Sequence, residues 1–254
     1  MSATVLNATI RPITSRPAAA KAPRFDIYAG IHKALRTLMT DTLGRLGRCD
    51  LDHETDLHDT LDRTSLMLTL LAGHIDSENQ VIHAAIEARR PQGARKTSDD
   101  HNDHLQSMAD LADDIQALRQ AHPAQRAPLA QALYRHVALF VAENLEHMHV
   151  EETTNNATLW SLFTDAEIVQ LEGQIVGRLS PEKLSAYLRW MAVSLSTAEL
   201  TGFLQAMRLG APAEAFDATV SLIHGELDAV RWRRLSTALG LDCPAPRQSV
   251  GGGA

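Results

Sequence analysis

Apolar residues recur near every 3.6 positions over four long stretches before Trp160, and turn-forming residues separate the stretches. The first predicts a helix from about Phe25 to Leu46, with Ile27, Ile31, Leu35, Leu38, Leu43 and Leu46 on one face. Gly44, Gly47 and the run Asp50-Leu51-Asp52-His53 close it. The second runs from about Asp59 to Ala88 through Leu61, Leu66, Leu68, Leu71, Ile75, Ile82 and Ile86, and Pro91-Gln92-Gly93 ends it. The third spans roughly Ser98 to Gln120 through Leu105, Met108, Leu111, Ile115 and Leu118. The fourth follows Pro123 and Pro128 and runs from Leu129 to about Asn155. Connections this short make neighbouring helices antiparallel, so the expected fold is all-α, an up-down-up-down four-helix bundle over residues 25–160.

A smaller helical extension is expected over residues 165–240. Ser180-Pro181-Glu182 puts proline at a first helical position, and Ser196-Thr197-Ala198-Glu199 is a capping box. Gly210-Ala211-Pro212 breaks the chain before a last helix ending near Trp232 and Leu239. Trp190, Met191, Phe203, Phe216 and Trp232 read most simply as core, with a protein-partner face on these helices as the lesser alternative.

Composition narrows the classes. The chain has 254 residues, 44% apolar but only 4% aromatic, which suits helix packing better than a β-sandwich. Its net charge of −7 and lack of a long basic run exclude nucleic acid and anionic membranes as expected partners. No apolar run approaches the roughly 20 residues of a membrane span. Two cysteines, Cys49 and Cys243, form no CxxC, which argues for a reducing, cytoplasmic setting and against thiolate ligation. Residues 1–24 read as a disordered lead-in in preference to a transit peptide, and residues 241–254 as a disordered tail.

The chemistry lies in two tetrads, His74-Ile75-Asp76-Ser77-Glu78 and His147-Met148-His149-Val150-Glu151. Positions i and i+4 share a helix face, so each tetrad points one imidazole and one carboxylate the same way. That ligand mixture belongs to redox iron and related metal sites. In an antiparallel bundle, residues at one depth must be centred on the intervening turn. His32 and His74 are centred on residue 53, His74 and His104 on 89, and His104 and His147 between 125 and 126, each at an expected turn. His32, His74, His104 and His147 therefore share a level, with Glu78 and Glu151 one turn away, about 5.4 Å. His101 fits the third helix nearly as well; His104 is preferred because it keeps Leu111, Ile115 and Leu118 on the stripe beneath it. Glu152 is an alternative to Glu151, whereas His149, about 200° around the helix from His147, should face away. His83, His122 and His224 read as surface residues, and His53 and His58 as solvated.

The ordered set His32, His74-x-x-x-Glu78, Asp103-His104 and His147-x-x-x-Glu151-Glu152 resembles the hemerythrin-like (HHE cation-binding) domain over about residues 25–160. The resemblance implies two irons per chain, histidines as terminal ligands, and Glu78 and Glu151 as bridging carboxylates. It also implies binding or sensing of O2, NO or peroxide at an open iron position. The chain departs from the oxygen carriers at Met108, where they hold a second third-helix histidine, and at Glu152, where they hold an aspartate. Two other readings are an iron enzyme acting on peroxide or O2, and a storage or structural metal protein working through its C-terminal helices. A ferritin-like site would place Glu-x-x-His on its helices, the reverse order.

Overall fold

A computed structural model of the chain describes residues 24–241, all helical in their regular structure, with no strand among them. The first helix, α1, covers Ala29–Gly47. A second rod begins as α2 (Glu54–Ser77), passes through a π-helical turn (Glu78–His83) and ends as α3 (Ala84–Arg89). Helix α4 covers Arg95–Arg119. The next rod has the same build: α5 (Pro123–Val150), a π-helical turn (Glu151–Asn155) and α6 (Asn156–Leu162). Five shorter helices follow: α7 (Asp165–Val176), α8 (Pro181–Ser194), α9 (Thr197–Gly210), α10 (Ala213–Glu226) and α11 (Ala229–Leu239).

Helix α1 packs on α2 and α5, α2 also on α4, and α4 on α5, so the four long elements close a cycle of contacts. Inside it lies a core that includes Leu35, Leu38, Leu61, Leu71, Leu111 and Phe140. At 1.5–3 kcal/mol or so for each fully buried side chain of this size, burial of the stripe holds the cycle together. A second apolar cluster, around Tyr28, Val81, Ile82, Ile86, Leu159 and Ile168, closes one end. Between the two clusters runs a belt of buried histidine and glutamate. The later helices carry their own cluster, centred on Ala192, Leu200, Leu204, Ile223 and Leu235, and α8 docks them against α1 and α2.

Several expected boundaries move. Helix α1 starts at Ala29 because Phe25–Tyr28 straps across α6: Trp160 Nε1 donates to the Phe25 carbonyl at 2.8 Å. Asp26 Oδ1 caps the start, accepting from Tyr28 N at 3.0 Å and Ala29 N at 3.1 Å. Helix α2 begins five residues before Asp59, where the His53 side chain accepts from Asp56 N. Helix α5 begins at Pro123, a first-turn position that tolerates proline, and carries Pro128 inside it. Leu66 and Leu105, expected on buried stripes, are 39% and 40% exposed. The Ser180 cap and the Ser196–Glu199 capping box form as expected. The lead-in and tail lie outside the described residues, except that Arg24 binds Asp165 and the Trp160 and Phe163 carbonyls, and Leu241 packs on the third cluster. No described helix is long and apolar enough to cross a membrane.

Candidate metal centre

Both π-helical turns begin at a glutamate of the tetrads, Glu78 and Glu151. A π-turn widens the helix and closes i→i+5 hydrogen bonds, a rare geometry that occurs often at functional sites. Here it follows each histidine–glutamate pair at the same point in the two rods.

The tetrads meet in the buried belt. His32, His74, Glu78 and Glu151 offer ligand atoms within 4.8 Å of one another, as do Glu78, His101, His147 and Glu151. Both groups contain both glutamates. Glu78 Oε1 lies 3.2 Å from His74 Nε2 and 3.8 Å from His32 Nε2, whereas its Oε2 lies 3.4 Å from His101 Nε2. Glu151 Oε2 lies 3.4 Å from His32 Nε2, and its Oε1 lies 3.3 Å from His147 Nε2 and 3.6 Å from His101 Nε2. Each carboxylate thus turns one oxygen to each histidine pair. The His101 and His147 Nε2 atoms stand 2.9 Å apart. Ligands about 2.1 Å from one metal sit roughly 3 Å apart at adjacent corners of its coordination shell, and most of these spacings approach that value.

The donor set suits a cation. His32 Nε2, His74 Nε2 and both oxygens of Glu78 and Glu151 make no hydrogen bond among the described residues, although Glu78 is 2% and Glu151 0% exposed. Buried carboxylates left like this are expensive, several kcal/mol each even after relaxation. Only the imidazoles oppose that cost from within the protein. Burial alone would lower the pKa of His32, but Glu152, Glu78 and Glu151 push it up to about 9. His101 is likewise lowered by burial and pushed up to about 9 by Glu151 and Glu78. Burial would raise Glu78, yet His74, His101 and His32 hold it well below the usual carboxylate range. Glu151 is also held low, by His101 and His147 against burial and the charge of Glu78. His74 falls to about 4 because burial dominates. These buried histidine and glutamate groups could hold metal ions.

A surrounding layer aims the imidazoles. His32 Nδ1 donates to Glu152 Oε1 at 3.1 Å, leaving Nε2 for the centre. Arg36 Nη1 and Nη2 in turn donate to Glu152 Oε1 and Oε2 at 2.5 and 3.0 Å, so Glu152 sits behind His32 and away from the shared glutamates. His101 Nδ1 lies 2.8 Å from Asn79 Oδ1, and His147 Nδ1 lies 3.5 Å from Asp100 Oδ2.

Compared with models of protein families and with curated proteins, the chain matches none.

Of the residues singled out from sequence, His32, His74, Glu78, His147 and Glu151 come together. His104 is buried but stands outside both groups, its ring edge-on to His147 at 4.9 Å, and His101 occupies the second group. His149 is exposed. His136 is tied to Asp114 at 2.8 Å. His83, expected on the surface, is 5% exposed and stacks on His101 at 4.9 Å. The π-turn explains it, because residue i+5 from Glu78 is brought round to the inner face. His83 Nε2 and Asn155 Nδ2 both reach Thr97 Oγ1, at 3.2 and 3.1 Å, tying the two π-turns to α4. Tyr28 was also missed: it is 1% exposed, its ring lies 5.1 Å from His32, and burial with the charges of Glu151 and Glu78 pushes its pKa well above the usual phenol value. An aromatic residue four positions before a candidate ligand histidine was the available signal.

Proposed function

We propose that the chain is a hemerythrin-like protein, an up-down-up-down four-helix bundle with a helical extension, that holds two irons and binds or senses O2, NO or peroxide. The observation that carries this reading is the division of each glutamate between two histidine pairs. Glu78 and Glu151 would bridge the two metals, His32 and His74 would complete one site, and His101 and His147 the other. In this reading His101 replaces His104 as the ligand from α4. The mixed imidazole–carboxylate set favours iron over calcium or magnesium, which prefer all-oxygen shells.

Bound iron would supply an open coordination position and electrons for a small ligand. The residues of the chain supply the rest. Glu152 and Arg36 hold His32 in the Nδ1–H tautomer, and Asn79 fixes the ring of His101. Leu35, Leu71, Ile75, Met108 and Met148, all buried beside the belt, exclude water and favour a small neutral ligand over a charged one.

Metal content per chain, measured by elemental analysis after anaerobic purification from iron-supplied cells, tests the reading. Two irons per chain are expected, falling to near zero in the His74→Ala/His147→Ala double variant and unchanged in His149→Ala. Full metal content in the double variant would sink the ligand assignment.

A further inference from the structure

A cleft of about 330 Å³ opens between α4 and α5 beside the centre. Asp100, Asp103, Glu143 and Glu146 line it, with Lys96 as the one opposing charge, so it carries three negative charges in excess. Lys96 Nζ is itself engaged by Asp100, at 2.9 Å to each carboxylate oxygen. Asp103, Glu143 and Glu146 are exposed.

The inner wall is what distinguishes this cleft from an ordinary acidic surface. His104 and His147 line it, 5% and 7% exposed, and the Nδ1 atom of each makes no hydrogen bond among the described residues. His147 has two faces. Its Nε2 belongs to the second ligand group, 3.3 Å from Glu151 Oε1, while its Nδ1 lies on the side of Asp100, 3.5 Å away. His104 stands next to it, outside both ligand groups, with the rings 4.9 Å apart. An imidazole on the wall of an acidic cleft, adjacent to a ligand of the centre, is placed to hold a cation in passage.

We infer that this cleft is the loading port of the metal centre: Asp103, Glu143 and Glu146 gather a divalent cation such as Fe2+, and His104 relays it to His147. The inference rests on the metal-centre reading. A cleft of one sign raises the local concentration of its counter-ion and speeds association by about 10- to 1000-fold, an effect that salt suppresses. A neutral diatomic gains nothing from such a field, so the cleft belongs to the cation.

The test is the rate at which the metal-free full-length protein takes up Fe2+ alone, followed anaerobically by chelator competition, with final metal content measured separately. At low salt, the Asp103→Asn/Glu143→Gln/Glu146→Gln variant should load about tenfold more slowly than the unaltered protein and reach the same content. Its rate should also lose most of its dependence on salt. Equal rates with equal salt dependence would overturn the port. His104→Ala should likewise slow loading at constant final content; a permanent loss of metal would make His104 a resident ligand and overturn the relay. An unaltered protein that takes up no iron refutes the metal centre itself, an outcome distinct from a port that fails while the centre fills.

Discussion

Glu152 shows how much a single side chain outside the ligand groups can control. It receives both guanidinium donors of Arg36 and the Nδ1 proton of His32, and these partners hold its carboxyl at about 2 against the opposing effect of burial. Replacing it with glutamine removes the charge that favours the Nδ1–H tautomer while keeping the shape. Outer-layer partners of this kind are worth about 10- to 100-fold in metal affinity. Glu152→Gln should therefore lower affinity by that factor in chelator competition, with the fold intact by circular dichroism. Unaltered affinity would reduce Glu152 to a surface ion-pair partner of Arg36. Sequence placed Glu152 one residue beyond the candidate ligand Glu151 but could not tell a bridge from a support, because that depends on which imidazole nitrogen it faces.

Among the elements, the two rods with π-turns bring both glutamates and two of the histidines to the buried groups, and their regular parts were legible as period-3.6 stripes. The π-turns were not. Glu78–His83 keeps Val81 and Ile82 on the stripe, the all-polar Glu151–Asn155 reads only as a gap in it, and the extra residue per turn is stabilised by contacts with α4, such as Thr97 with His83 and Asn155. Pro128 misled in the opposite direction. It marks a break by sequence, yet α5 runs through it from Pro123, giving up the amide that would bond the Ala124 carbonyl. Pro128 is exposed, so Pro128→Ala should restore that bond without disturbing packing. The restored bond outweighs the greater freedom of the unfolded chain, for a net gain of about 2 kcal/mol. Thermal unfolding should shift upward with metal content unchanged; an equal or lower midpoint would show that the helix already accommodates the ring at no cost.

For the whole molecule, the buried charges set a pH dependence that bound metal should remove. Without metal, His32 and His101 at about 9 stand above their ordinary 6.5. Their contribution is complete below pH 6.5 and is lost as pH rises through 9. His74 and His104, both held at about 4 by burial, act the other way: the unfolded chain takes up their protons first as pH falls below 6.5, so stability declines there too. The metal-free protein should therefore unfold at its highest temperature near pH 6.5, with the midpoint falling toward pH 9. Metal displaces the protons from His32 and His101, so binding tightens with pH and the loaded protein should hold its midpoint over the same range. Parallel curves for the two forms, measured by calorimetry, would contradict the ligand roles of these histidines.

The sequence by itself determined the all-helical class, the approximate extent of the four long helices, the caps of α8 and α9, and the two His-x-x-x-Glu tetrads. Each depends on residues within a turn or two of one another, where periodicity and capping chemistry act. The centring of the histidines also placed them near one level, but it could not separate His101 from His104, which differ by three residues and about 4.5 Å along the axis. Tertiary structure put His101, and not His104, among the grouped side chains, and it set the burial of His83 and Tyr28, the clamp of Arg36 on Glu152, and the turning of each glutamate oxygen to a different histidine pair. These depend on the rotation of each rod about its axis. That rotation is set by packing among distant residues and by a π-turn that local sequence does not announce.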